Sequence, residues 1–294
     1  MKRSPYILIT SGAALWGLIG IFVRGLQGAG FSSMEIVVVR ALSASFMLFA
    51  YMAFAERGLL CVRLRDLLYF FATGVLSVAF FNWCYFTAIN EISISIAVVL
   101  LYTAPAFVIL ISRIVFGEII TGRKFAALIL TFAGCCLIAG LLPGAGVSIS
   151  LRGFMIGLGS GLGYALYPVF AKPAAGRYSP VTITAYTFLF TALSLLPFSG
   201  LCNRTGLLNS PRVMLFIAGL GLFPTALAYI LYTRGLRHVE AGKAALIATI
   251  EPVVAIMTGL LLFGERINVP QLCGALMIIY SLFITGRGNK EAGR

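Results

Sequence analysis

Residues 102–118 read YTAPAFVILISRIVFGE, and residues 249–265 read TIEPVVAIMTGLLLFGE. Both are largely apolar, both carry proline at the fourth place, and both end in Phe-Gly-Glu. Pro105 pairs with Pro252, Ile109 with Ile256, and Phe116-Gly117-Glu118 with Phe263-Gly264-Glu265, each at an offset of 147. The register extends outward from there: Tyr85 matches Tyr232 and Ala97 matches Ala244. A looser pairing stands at an offset of 148, where Trp16 to Arg24 matches Tyr164 to Lys172. In both, an aromatic residue lies eight positions before a cation that ends an apolar run. The chain is therefore a tandem duplication.

Of its 294 residues, 60% are hydrophobic and 11% charged, with a mean hydropathy of +1.02. Soluble domains carry about 45–50% apolar and about 25% charged residues. The polar surface is too small for a soluble enzyme, a disulfide scaffold or a disordered tail. An all-α polytopic membrane protein remains. Runs of about 20 apolar residues, bounded by charges, glycine or proline, predict ten spans: Tyr6–Val23, Met34–Ala55, Leu67–Ile89, Ser93–Phe116, Phe125–Leu142, Gly153–Ala171, Pro180–Gly200, Val213–Leu236, Gly242–Phe263 and Pro270–Thr285. The first resembles a signal peptide behind Lys2-Arg3. It lacks an A-x-A-like cleavage site and nine spans follow it, so it reads as a retained helix.

The net charge of +13 (22 Lys and Arg, nine Asp and Glu) is orienting rather than nucleic-acid-binding. With the N terminus cytoplasmic, sixteen loop cations fall inside, five fall outside, and Arg40 lies within a span. That bias predicts both termini on the cytoplasmic side of the plasma membrane. The repeats are residues 6–142 and 153–286, with a cytoplasmic tail at 287–294. Five spans per repeat force the second copy to enter from the opposite side, giving inverted topology of the kind found in secondary transporters.

Two five-helix units, Gly-Glu at the end of the fourth helix of each, and Glu251-Pro252-Val253 in the ninth resemble the ten-helix EamA-type branch of the drug/metabolite transporter superfamily. Gln271 and Gly274-Ala275 extend the likeness. The first repeat departs from it at Ala104, where the second has Glu251. The resemblance implies a multi-pass transporter, most often an exporter of amino acids or other small metabolites, working by alternating access.

Candidate site residues follow from the bilayer as a solvent. Proline removes an amide proton and clashes with the carbonyl four residues back, so Pro105 and Pro252 weaken the bonds of Leu101 and Ala248. They read either as hinges beside a central cavity or as static packing kinks. Glu251 lies near mid-span, where a charge costs about 2.5–3.5 kcal/mol on insertion scales. It reads as a proton carrier, an ammonium site, or a neutral acid bonded to a neighbouring helix. Arg40 either snorkels outward toward Glu35 or bonds a neighbouring helix, or reaches inward to a substrate carboxylate or to Glu251. Trp16, Asn82, Tyr85, Tyr102, Thr103, Tyr164, Tyr167, Tyr229, Tyr232 and Thr249 are expected to line the cavity. Asn82 with Tyr85, Tyr164 with Tyr167, and Tyr229 with Tyr232 each share a helix face. Such walls suit amphipathic or aromatic solutes and, through ring faces, cations. Glu118 and Glu265 end their helices near opposite faces and read either as caps or gate locks paired with cations such as Arg123 or Arg266, or as solvated interfacial charges.

The glycine run 157–163 lies within a span and reads as close helix packing, not a nucleotide loop. An integral membrane enzyme acting on a lipid or isoprenoid substrate is the alternative function. Asp66 is the sole Asp, His238 the sole His, and no DxxD or ExxE occurs, so neither a divalent-metal carboxylate pair nor a zinc site is indicated. No cofactor is implied. The expected partners are the lipid bilayer, a small-molecule substrate and, through Glu251, protons.

Overall fold

The computed structural model describes residues 4–141 and 150–287. The loop cations Lys2, Arg3, Lys290 and Arg294, and all of the expected tail except Arg287, lie outside the described residues. The chain forms ten long helices: α1 Pro5–Gly28, α2 Ser33–Ala55, α3 Leu64–Glu91, α4 Ile94–Phe116, α5 Gly122–Ile138, α6 Leu151–Ala175, α7 Pro180–Ser199, α8 Pro211–Leu236, α9 Ala241–Phe263 and α10 Val269–Arg287. Each of the ten expected spans corresponds to one of them. Nine have the length and hydropathy to cross a bilayer. The 17 residues of α5 cover about 26 Å at 1.5 Å per residue.

Packing repeats with the sequence. Helix α1 lies along α8, and α6 lies along α3. Likewise α1 meets α9 while α6 meets α4, and α2 packs on α7 and α5 on α10. Exchanging the halves maps each contact onto another or onto itself, as a pseudo-two-fold axis requires. Because each half crosses five times, that axis lies in the membrane plane.

The same irregularities recur in both halves. Helix α3 widens into π-type turns over Ala72–Ala79, and α8 does so over Leu222–Leu227. In α8 this accommodates Pro224, which has no amide to donate. Helices α4 and α9 are interrupted: α4 consists of Ile94–Leu101 and Ala104–Phe116, and α9 of Ala241–Ala248 and Glu251–Phe263. Pro105 and Pro252 stand in the first turn of each second segment, so the expected kinks are complete breaks.

Small residues set how close the helices come. On α6, a Cβ at Gly163 would lie 2.9 Å from Phe80 and Phe81 of α3, and one at Gly161 2.7 Å from the Leu100 carbonyl. Helices α5 and α10 approach backbone to backbone at Gly134 and Gly274, and the Thr131 and Ser281 hydroxyls meet at 2.9 Å beside them. Large apolar side chains such as Phe46, Phe54, Leu110, Ile114, Leu261 and Phe283 are exposed on the periphery. This band faces hydrocarbon and accounts for the surplus of apolar residues.

A Cβ at Gly134 would stand 2.7 Å from the Gly274 carbonyl, and backbone cannot swing aside as a side chain can. Gly134→Val should lower stability by about 1–3 kcal/mol, seen as a drop in melting temperature in detergent. Gly122→Ala, where nothing lies within 4 Å, should leave it unchanged or slightly raised.

Candidate functional site: a one-sided cavity between the repeats

A cavity of about 960 Å³ lies between the two halves, at the upper end of the range for small-molecule sites. Eight of the twelve expected cavity residues line it: Trp16, Arg40, Asn82, Tyr85, Tyr102, Tyr164, Tyr229 and Glu251. Its mouth is formed by Gln27, Ser32, Asn90, Ile94 and Phe198. These lie at the end of α1, the start of α2, the end of α3, the start of α4 and the end of α7. All five belong to the face that carries Glu265.

The polar groups of the cavity come from broken or widened helix. Glu251 opens the second segment of α9, directly after the break, and Tyr102 stands in the break of α4. The Tyr164 hydroxyl donates to Glu251 Oε2 at 3.3 Å. Asn82 and Tyr229 follow the π-type turns of α3 and α8. Asn82 donates to the Val78 carbonyl at 2.8 Å.

Arg40 does not snorkel to Glu35. The Glu35 carboxylate is taken by the Ser32 amide at 2.7 Å and by Arg204 at 3.3 Å. Arg40 is buried on the cavity wall, 5.8 Å from the centre of the Phe188 ring and beside the Tyr229 hydroxyl. The Trp16 indole N–H is buried in the same wall and has no hydrogen-bond acceptor among the described residues.

The floor is aromatic. The Trp16 ring lies 5.0 Å from Tyr229 and 5.1 Å from Tyr232, and Tyr167 lies 4.9 Å from Tyr229. Tyr167 and Tyr232 stand behind the main cavity, around a small pocket shared with Trp16, Tyr164 and Tyr229. Tyr167 is bonded to the Thr233 hydroxyl at 2.7 Å. Thr103 and Thr249 are not among the cavity residues. Each hydroxyl donates to its own helix, to Leu100 and Leu246 respectively, at 2.6 Å.

Beyond the floor, the opposite face is closed by charge. Glu118 accepts from Lys172 at 2.8 Å and from the amides of Ala241 at 2.7 Å and Gly242 at 3.1 Å. Lys172 of α6 is a partner of Glu118 that the loop sequence does not suggest, as Arg24 of α1 is of Glu265. Lys124 bonds Glu240 at 2.8 Å. Burial pushes the Glu240 carboxyl up, but Lys124 and Lys243 outweigh that and hold it below the usual carboxylate range. Its contribution to stability is therefore present at neutral pH and is lost as the pH falls through that lowered value. Asp66, read from sequence only as a loop acid, binds Arg177 at 3.0 Å and the Tyr178 hydroxyl at 2.7 Å. The mouth residues Gln27 and Asn90 were also missed. Polar residues near span ends read as ordinary solvated positions.

A duplicated bundle with a polar-aromatic chamber open to one face is the architecture of a membrane transport protein. The chain belongs to the EamA-like transporter family, whose pattern matches residues 3–140 and 151–287. It is 31% identical over 95% of both chains to an uncharacterized transporter of Archaeoglobus fulgidus. It is 27% identical to the uncharacterized transporter YxxF of Bacillus subtilis, covering 99% of this chain and 94% of that one. A protein known from a crystal structure shares the fold over 97% of this chain and 96% of that one, with a TM-score of 0.77 at 16% identity. The protein is thus a multi-pass membrane transporter and not an enzyme.

Asp66 is buried while its partner Arg177 is half-exposed, so the carboxylate itself is the desolvated member of the pair. Asp66→Asn removes the charge while keeping the shape, and should lower stability by about 1–3 kcal/mol, read as a lower melting temperature in detergent.

Proposed function

We propose that this transporter is a secondary active carrier that exports amino acids or other small amphipathic metabolites by alternating access. The carrying observation is the cavity itself: one chamber between the repeats, reached from one face, with Arg40 and Glu251 as its charged residues among aromatic rings. Arg40 and the free Trp16 N–H suit a carboxylate, Glu251 suits an ammonium, and Tyr85, Tyr102 and Tyr164 suit an apolar or aromatic body. An α-amino acid carries all three.

In this reading the two five-helix units at 6–142 and 153–286 move as partners. Pro105 and Pro252 act as hinges, since both breaks are carried partly by tight three-residue turns, such as Thr103 to Leu100 and Ile250 to Ile247, in place of regular helix bonds. The excess of cations on the Glu118 side supports a reading in which that face and both termini lie on the cytoplasmic side of the plasma membrane. The open mouth then faces outward. Glu251 exchanges a proton for the substrate ammonium, which couples export to the proton gradient.

Proteoliposomes loaded with labelled amino acids test each part. Glu251→Gln should abolish flux driven by a pH gradient and leave substrate exchange in place; gradient-driven flux at the parent rate refutes proton coupling through Glu251. Arg40→Ala should weaken carboxylate-bearing solutes about tenfold or more, the loss of one charge-assisted hydrogen bond, while sparing amines that lack a carboxylate. Equal loss for both classes would remove Arg40 from the substrate site.

A further inference from the structure

Each half of the chain ends its fourth helix in the same way. Phe116-Gly117-Glu118 and Phe263-Gly264-Glu265 both leave the helix through a left-handed glycine, with φ of 68° at Gly117 and 66° at Gly264. That conformation favours glycine over any residue with a Cβ. In both, the glutamate amide returns to a carbonyl six residues back: Glu118 to Ser112 at 3.2 Å and Glu265 to Gly259 at 3.1 Å. Each carboxylate then pairs with the cation that ends the first helix of the other half. Lys172 meets Glu118 at 2.8 Å, and Arg24 meets Glu265. Each cation also lies over the phenylalanine of the same motif, Lys172 5.3 Å from the Phe116 ring and Arg24 4.1 Å from that of Phe263.

The two clasps part at one point. Glu118 also holds the first turn of α9, through the amides of Ala241 and Gly242, and its side chain is 7% exposed. Glu265 holds no such turn, and its side chain is 49% exposed. The matching amides belong to Ile94 and Ser95, which open α4 just as Ala241 and Gly242 open α9, 147 positions on. Ile94 stands at the mouth of the cavity and is 63% exposed. The Ser93 hydroxyl caps the amide of Ile96 and leaves the first two free. Among the described residues, no hydrogen bond is formed by the amides of Ile94 or Ser95.

We propose that Glu118 and Glu265 are the two latches of the transport cycle, engaged one at a time, and that Glu265 closes the open face by taking the amides of Ile94 and Ser95. The structure shows the Glu118 latch shut and the Glu265 latch undone. A carboxylate on the first amides of a helix is a favourable charge-assisted contact, strengthened by the helix dipole. Opening the Glu118 face breaks one such contact and exposes the carboxylate to water. Closing the Glu265 face makes an equivalent contact and buries its mate. The exchange leaves the two states close in free energy, as a reversible carrier needs, because a lopsided pair would trap the protein on one side. Arg24 and Lys172 stay with their glutamates and prevent an unpaired buried charge at either stage.

This inference rests on the alternating-access reading but is tested without a transported solute. Val98 lines the open cavity, and its mate Ala245 is buried on the closed side. Single Val98→Cys and Ala245→Cys substitutions, in protein whose six native cysteines are replaced, are labelled with a polar maleimide in detergent. The parent should label at position 98 and resist at position 245. Adding Glu118→Ala should reverse this, with labelling at 98 falling and at 245 rising by about tenfold. Adding Glu265→Ala should leave 98 reactive and 245 shielded. Combining both should return the pattern toward the parent. If Glu118→Ala does not fold, Glu118→Asp, too short to span two amides and Lys172, takes its place. Labelling that neither glutamate changes, or that both change in the same direction, overturns the latch proposal, and the flux measurements on Glu251 and Arg40 would stand regardless.

Discussion

Hydrocarbon offers no hydrogen bonds, so backbone polar groups within the bilayer must be satisfied by the chain itself or by water in a cavity. The architecture follows from where this protein departs from regular helix. Most of its departures come in symmetric pairs, π-type turns in α3 and α8 and breaks in α4 and α9, while an interruption of α1 at Leu18 has no mate in the continuous α6. All lie on the helices that wall the central chamber. At the breaks the Thr103 and Thr249 hydroxyls return to carbonyls one turn back. Irregular backbone is thus confined to the interior, where it releases Glu251 and Tyr102 from the regular helical register and turns them toward shared space.

Closure is built from a different material. The floor of the chamber is aromatic rings packed edge to face or tilted, and the seal beyond it is an ionic network in which carboxylates meet cations and helix-start amides. Glu118, Asp66 and Glu240 gather these partner groups at one face: Lys124 of α5, Lys172 of α6, Arg177 just beyond α6, and the Ala241 and Gly242 amides and Lys243 of α9. Rings exclude water but form no directional lock. Carboxylates on amides and ammonium groups are directional, and they can exchange with water at modest net free energy because both partners are well hydrated when released. A gate that must open repeatedly is better made from the second kind of contact.

Much of this was legible in the sequence. The 147-residue register located the breaks, the odd number of spans required inverted halves, and deep polar or aromatic residues such as Asn82, Tyr164 and Glu251 pointed to one chamber. The rest was hidden for identifiable reasons. Thr103 and Thr249 sit beside cavity residues yet spend their hydroxyls on their own helices, a choice set by rotamer rather than residue type. Arg40 could have reached Glu35 by length alone, but Arg204, 169 positions away, occupies that carboxylate. The partners of Glu118 are largely backbone amides, and backbone donors leave no mark in a sequence.

The pseudo-symmetry explains both what the halves share and why they differ. Shared elements, namely the glycine exits, the glutamates and their cations, belong under the proposed cycle to the machinery that each face uses in turn. Unshared elements belong to tasks performed once. Glu251 aligns with Ala104, and Arg40 has no charged counterpart in the second repeat; a single substrate in a single chamber does not require them twice. Asp66 and Glu240 likewise reinforce only the Glu118 face, where the counterparts are Val213 and Ser93. Where duplication has been kept, the chemistry is conformational; where it has been lost, the chemistry is either recognition or a bias between the two faces.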